Sequence, residues 1–199
     1  MRKIVLIFAF VMSCCLTTMS QVYIDARTCC NVYRGKPQTV VVSNNGFVSK
    51  ATFDNQGRIT SVEVGMQRME FKWRSDGKRI TVKGYNNGEL LATEYINVSV
   101  NTAEQLAYSA GGADYEFNFE PNGRANDCKI SFNGMTQSMH YRYASDDDIY
   151  PIYIEGNASG QTMRTDIEIL ETDSYGNAIK YVMSANGMEQ VFEVQITYY

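Results

Sequence analysis

His140 is the single histidine of this 199-residue chain, so acid–base chemistry near neutral pH would start there. It sits in Met139-His140-Tyr141-Arg142-Tyr143, alternating with aromatics as an ordinary strand would. A general base also needs a nucleophile or a partner carboxylate within reach. No Gly-x-Ser-x-Gly, second histidine or nucleophilic cysteine context accompanies it. Carboxylates are the next candidates. Asp166, Glu168 and Glu171 could supply the opposed pair of a glycoside hydrolase, about 5–9 Å apart. With 22 acidic residues in the chain such spacings arise by chance, and nothing selects one pair. Asp146-Asp147-Asp148 offers several oxygens to Ca²⁺ but lacks the alternating spacing and closing glutamate of an EF-hand loop. It reads as a solvated acidic turn.

Cys29, Cys30 and Cys128 are the thiols that would remain after removal of an N-terminal leader. Adjacent cysteines bridge each other only with strain, so Cys29 or Cys30 to Cys128 is the plausible disulfide, and three reduced thiols are the alternative. Zinc would need a fourth soft ligand at suitable spacing beside these three thiols, and His140 is the only histidine; no metal or cofactor is expected. The aromatics Trp73, Tyr85, Tyr141, Tyr143, Tyr150 and Tyr153 (with Tyr115) lie on strand patterns. Those that face outward could stack on sugar rings or form a protein interface; the rest belong to a core. Two Asn-x-Ser sequons, at Asn97 and Asn157, matter only in a eukaryotic secretory route.

The elements that must position these residues are strands. Thr52-Phe53-Asp54-Asn55-Gln56-Gly57-Arg58-Ile59 is the organising unit: an aromatic strand end, a four-residue turn and a returning strand. Aspartate at turn position i bonds its own backbone, and glycine at i+3 supplies the left-handed conformation. Glu120-Pro121-Asn122-Gly123 and Asp173-Ser174-Tyr175-Gly176 repeat it, while Asn44-Asn45-Gly46, Asn86-Asn87-Gly88, Asn133-Gly134 and Asn186-Gly187 are tight-turn signals between them. Ser75-Asp76-Gly77-Lys78 predicts a two-residue type I′ hairpin. Turns fall about every 8–14 residues, with no helix-length period between them except a short competing helix at Thr102–Ser109. Tyr150 to Ile154 reads as a strand behind Pro151. The expectation is all-β: an antiparallel meander of about a dozen strands, too many for a flat sheet, forming a strongly curled sheet, an open barrel or two packed sheets.

Length fits one domain, residues 21–199, with 21–37 as an irregular lead-in that packs onto the main body. Residues 1–20 read as a signal peptide: Met1-Arg2-Lys3, then the apolar run Ile4–Met12, with Thr18 and Ser20 favouring cleavage before Gln21. Val11-Met12-Ser13-Cys14 approximates a lipoprotein box, which would make Cys14 a lipid anchor instead. The formal charge is −4, and loss of Arg2 and Lys3 makes it −6. An acidic chain without a basic stripe is a poor nucleic-acid binder, and that partner is rejected.

The recurrence of aromatic, aromatic or Asp, two residues, Gly, Arg or Lys, Ile or Leu resembles the YD (Rhs-type) repeat of secreted bacterial proteins. Phe53-Asp54-Asn55-Gln56-Gly57-Arg58-Ile59 carries it best, with looser copies at Phe71–Ile80, Phe117–Arg124 and Asp173–Ile179. Only Phe53-Asp54 keeps the aromatic-Asp pair, and the chain is too short for a closed shell. The chain is also similar in style to small secreted proteins of gut-type Bacteroidetes. These resemblances imply successive hairpins of a spiralling sheet in an exported protein without catalysis. Three functions remain in order: an envelope binding or scaffolding module for a protein or glycan, a carrier with an apolar cavity, and a carboxylate-pair hydrolase.

Overall fold

A computed structural model of the chain describes residues 33–158 and 160–199, and every regular element among them is a strand. The elements are β1 Pro37–Asn44, β2 Phe47–Phe53, β3 Ile59–Val64, β4 Gln67–Trp73, β5 Arg79–Asn86, β6 Glu89–Asn101, β7 Gln105–Ala110, β8 Ala113–Phe119, β9 Ala125–Phe132, β10 Met135–Arg142, β11 Tyr153–Ala158, β12 Gln161–Thr172, β13 Ala178–Ala185 and β14 Met188–Tyr198. Each pairs antiparallel with its neighbours in sequence, and β1 pairs with β14 to close the barrel. The meander is therefore fully closed: fourteen strands, and no free edge.

Closure gives the barrel two chemically different ends. At one end the turns are short, and both central residues of the pairs Asn45-Gly46, Asn87-Gly88, Asn133-Gly134 and Asn186-Gly187 have positive φ, as a type I′ turn requires. At the other end lie the organising turns. In the first, the Gly57 amide donates to the Asp54 carbonyl at 2.9 Å and the Asp54 amide to the Arg58 carbonyl at 2.9 Å. The Asp54 carboxylate then accepts from the amides of Gln56 and Arg58. The turns at Glu120–Gly123 and Asp173–Gly176 repeat the carbonyl–amide closure. Arg74–Gly77 joins them and corrects the type I′ expectation. Gly77 alone has positive φ there, and its amide reaches Arg74 at 2.9 Å. The Asp76 carboxylate, held by Arg74 and the Lys78 amide, selects the longer turn.

Two further expectations change. Residues 105–110 form β7, not a helix, although the Thr102 hydroxyl still takes the Gln105 amide at 3.0 Å, the short-range bond that suggested a helix cap. Tyr150 lies in the connection before β11, its hydroxyl accepting from the Ala178 amide at 2.7 Å, so the strand begins only at Tyr153.

Alternation sorts the walls. On β8, Ala113, Tyr115, Phe117 and Phe119 are buried while Asp114, Glu116 and Asn118 point outward. Inward rows from β3 to β10 include Ile80, Leu106, Phe117 and Cys128, all without measurable exposure. Rings stack along that wall: Tyr108 on Tyr115 at 4.8 Å and Phe117 on Phe119 at 6.4 Å. A round ring of fourteen strands, at about 4.8 Å spacing and about 40° tilt, would be roughly 28 Å across. Facing walls interdigitate at about 10 Å. Burial of the inward rows from β3 to β10 thus requires that the barrel be flattened there so that its walls pack on each other, while inward Ile167, Tyr181 and Ile196 on β12 to β14 stay partly exposed. Outward rows carry charged and polar groups instead, for example Arg68, Glu70 and Lys72 on β4 and Glu189, Glu193 and Gln195 on β14. That is the inverse of a membrane-spanning barrel, whose outer face is apolar.

Candidate functional site

The organising turns build a cleft of about 550 Å³ at the charged end, where the loops after β2 and β4 meet the lead-in. Trp73, the only tryptophan, is its aromatic wall. The last residue of β4, it is half-buried, and its indole Nε1 donates to the Ile59 carbonyl at 3.3 Å. The Arg58 guanidinium lies 5.4 Å from the ring centroid. Tyr33 and Lys36 close one side, and Asn55, Gln56 and Asn101 add planar amides.

Two carboxylates reach this cleft, and both are committed. Asp54 is bound by Arg58 through Nε at 2.7 Å and Nη2 at 2.6 Å, besides its two amide bonds. Asp76 pairs with Arg74 inside its own turn. Hydrogen bonds from the Arg74 guanidinium and the Lys78 amide draw the Asp76 carboxyl down to about 2. Such a group carries no proton to donate at neutral pH, and its lone pairs are already engaged. Both carboxylates of the cleft are thus held in ion pairs within their own turns.

The lead-in is tied to this end by Asn177, which has no measurable exposure. Its Oδ1 accepts from the Arg34 amide at 2.7 Å, and its Nδ2 donates to the Arg34 carbonyl at 2.8 Å and the Tyr198 hydroxyl at 2.6 Å. The side chain thus serves as a one-residue strand partner for the incoming chain. Tyr198 in turn donates to Asp173. Burial pushes the Asp173 carboxyl up, but the Tyr198 hydroxyl and the amides of Asn177 and Tyr175 outweigh it and hold it below the usual range.

Burial, with the Asp173 charge behind it, raises Tyr150 to about 12; burial and its bond to Asp173 do the same for Tyr198. The folded pKa exceeds the unfolded value of about 10, so this stability is complete below pH 10 and is lost as pH rises through 12. Urea titrations at pH 8 and pH 11.5 should differ by about 2 kcal/mol after discounting the more exposed Tyr198. Tyr150→Phe should remove most of that difference. A pH-independent midpoint would refute the cluster.

The remaining candidates scatter. Tyr85 is on the outer wall near the other end, donating to Glu70 at 3.2 Å. Tyr141 is buried inside the barrel. Tyr143 lies beneath Arg124, 4.2 Å from its guanidinium, and donates to the Ala125 carbonyl. Tyr153 stacks under Arg164 at 3.9 Å on the outer wall. The six aromatics thus form no single patch, and Trp73 alone lines the cleft described. His140 faces outward, in register with Asp127 on β9 and Glu155 on β11, on an open wall. Asp166 and Glu168 are on the outer face of β12, and Arg164 neutralises Asp166 at 2.6 Å. Asp148 accepts from the Ser145 amide and hydroxyl, and Asp146 lies 3.5 Å from Arg124. Among the described residues no cluster of His, Cys, Asp and Glu could hold a metal ion. Cys128 is buried on the inner face of β9 beside Met139; Cys14, Cys29 and Cys30 lie outside the described residues. Sequence reading missed Arg58, Asn101 and Tyr33 as cleft residues; the Asp54–Arg58 spacing within the turn was the available signal.

No family model matches the chain, and no curated protein matches it. Among solved structures it is similar to a porin-like protein from Bacteroides vulgatus, with a TM-score of 0.45 and 12% identity, covering 82% of this chain and 99% of that one.

Proposed function

We propose that the protein is an exported, non-catalytic binding module of the bacterial envelope that holds a saccharide in the Trp73 cleft. The observation that carries this is the cleft itself: an indole fixed by its own N–H bond, set among neutral amides, with both carboxylates locked by arginines. An aromatic face with planar hydrogen-bonding groups suits the alternating C–H and O–H surfaces of a sugar ring. The leader supports export. The charged outer wall supports a domain standing in water rather than crossing lipid. Against the carrier reading stands the interior, filled by Phe, Tyr and Met side chains.

Because Trp73 is the only tryptophan, intrinsic fluorescence reports the cleft directly. Titration with cell-wall and capsular oligosaccharides should shift the emission saturably. Asn101→Ala, which keeps the fluorophore, should weaken binding about tenfold, the value of a lost hydrogen bond to a bound ligand. Trp73→Ala should abolish binding measured by calorimetry. No saturable response across the panel sinks the saccharide reading, and hydrolysis of any oligosaccharide sinks the non-catalytic one.

A further inference from the structure

The net charge conceals a basic stripe. Residues 37–88, which hold β1 to β5, carry eight lysines and arginines against four acids. Residues 89–199 carry five against seventeen. The four acids of the first stretch are all matched: Asp54 by Arg58, Glu63 and Glu70 by Arg68, and Asp76 by Arg74. Lys50, Lys72, Lys78, Arg79 and Lys83 are exposed and pair with no carboxylate among the described residues.

Folding gathers three of these cations on one spot of the outer wall. Thr81 faces outward on β5, with Arg79 and Lys83 two residues to either side of it. Successive outward positions lie about 7 Å apart along a strand. Lys72 on β4 stands directly opposite Thr81 on one side and Tyr95 on β6 on the other, with Cβ atoms about 5 Å from that of Thr81. The Arg79 guanidinium lies 4.0 Å from the Tyr95 ring centroid, which steadies it beside this spot. Glu70 stands opposite Lys83 but is engaged by Arg68 at 2.9 Å and by the Tyr85 hydroxyl at 3.2 Å. Two ammonium groups and a guanidinium around one hydroxyl make a donor set for the oxygens of an anionic group.

Resting on the saccharide reading of the cleft, we propose that this patch binds an anionic group of the same ligand, which is therefore an acidic polysaccharide. Register supplies the continuity. Trp73 pairs with Ile80 and Lys72 with Thr81, so cleft and patch are one residue pair apart on the same two strands. Exposed Lys78 lies on the turn that joins those strands, so a glycan leaving the cleft over that turn stays on positive surface. Residues 1–32, outside the described structure, contain one acid, Asp25, and three cations, so they offer the patch no counter-charge. Other polyanions fit less well. Single-stranded nucleic acid needs open stacking platforms, and here Tyr95 is covered by Arg79 and Tyr85 is tied to Glu70. A broad anionic membrane would also meet Asp114 and Glu116 on the outer wall of β8.

Calorimetry with dextran sulfate and unmodified dextran, one backbone with and without charge, tests it. Dextran sulfate should bind about tenfold more tightly than dextran or better, and added salt should shrink the difference. Lys72→Gln/Lys83→Gln, changed only at exposed positions, should weaken dextran sulfate about tenfold at an unchanged Tm. Lys129→Gln/Arg142→Gln removes equal charge from exposed positions of β9 and β10 and should bind like the parent. Equal affinity for the two polymers, or equal losses in the two double variants, overturns the patch. Tighter binding of oligo-dT or of phosphatidylglycerol vesicles than of dextran sulfate overturns the polysaccharide assignment. Trp73→Ala should also weaken dextran sulfate. Binding that Trp73→Ala leaves intact and Lys72→Gln/Lys83→Gln removes overturns the shared ligand. A neutral oligosaccharide that still shifts Trp73 emission would then show that the cleft reading stands without the patch.

Discussion

Phe117→Ala should lower the unfolding free energy by about 3–5 kcal/mol. For a chain of this size that corresponds to a Tm lower by roughly 10 °C. Phe117 has no measurable exposure; its ring stacks at 6.2 Å on Tyr108 and at 6.4 Å on Phe119, and it pairs across the sheet with Leu106 and Cys128. Truncation removes the ring's transfer energy and leaves a cavity bordered by side chains that are themselves held by backbone ladders on both sides. The wall cannot collapse far into the gap. On the outward face of the same strand, Glu116→Ala should cost no more than about 0.5 kcal/mol. Chemical denaturation of the two variants separates a filled barrel from a hollow one. In a ligand-carrying barrel, Phe117 would line a void and its loss would cost less than about 1 kcal/mol. Phe117→Leu, which leaves less to refill, keeps the test readable if the alanine variant does not fold.

Local chemistry explains which parts of this architecture could be read from sequence. The turns at Asp54–Gly57, Glu120–Gly123 and Asp173–Gly176 are specified by an acid or its neighbour bonding the backbone within four residues, and each is where it was expected. The same holds for the Asn-Gly reversals and the period-2 strands between them. Closure was not legible, because nothing in Thr39-Val40-Val41-Val42 names Val194 or Ile196 as its partner about 150 residues away. Asp76-Gly77 misled because that dipeptide suits two turn types, and the choice rests on Arg74, two residues before Asp76. The aromatics show the limit most clearly. Tyr141 and Tyr143 share the inward parity of one strand pattern, yet Tyr141 is sealed in the core and Tyr143, past the end of β10, supports a loop. Parity assigns a face, but only the strand's end decides whether that face is covered. Trp73 lines the cleft for the same reason: it occupies the last position of β4, where the inward row meets solvent.

Arg124→Ala should destabilise the protein by about 3 kcal/mol and release the 143–152 connection, the longest in the barrel. Arg124 is 4% exposed although charged. Its Nε donates to Glu120 at 2.5 Å, closing the organising turn as Arg58 does with Asp54. Its Nη1 donates to the Ser145 and Asp148 carbonyls, both at 2.8 Å, so one guanidinium joins the turn to the acidic loop. Without it, those carbonyls and the Tyr143 ring lose their partner together, while half-exposed Glu120 can rehydrate. Removing the acid instead, by Glu120→Gln, keeps a hydrogen-bond acceptor and leaves the cation its two carbonyls. That change should cost only about 1–2 kcal/mol and should not free the loop. The order matters more than either value. Hydrogen exchange should show faster amides at Ser145, Asp148 and Ile152 in Arg124→Ala, and near-parent rates there in Glu120→Gln. If the two variants open the loop equally, the ion pair rather than the carbonyl clamp orders it. If neither does, the acidic loop is held by the Asp148–Ser145 bonds alone, and Arg124 serves only its own turn.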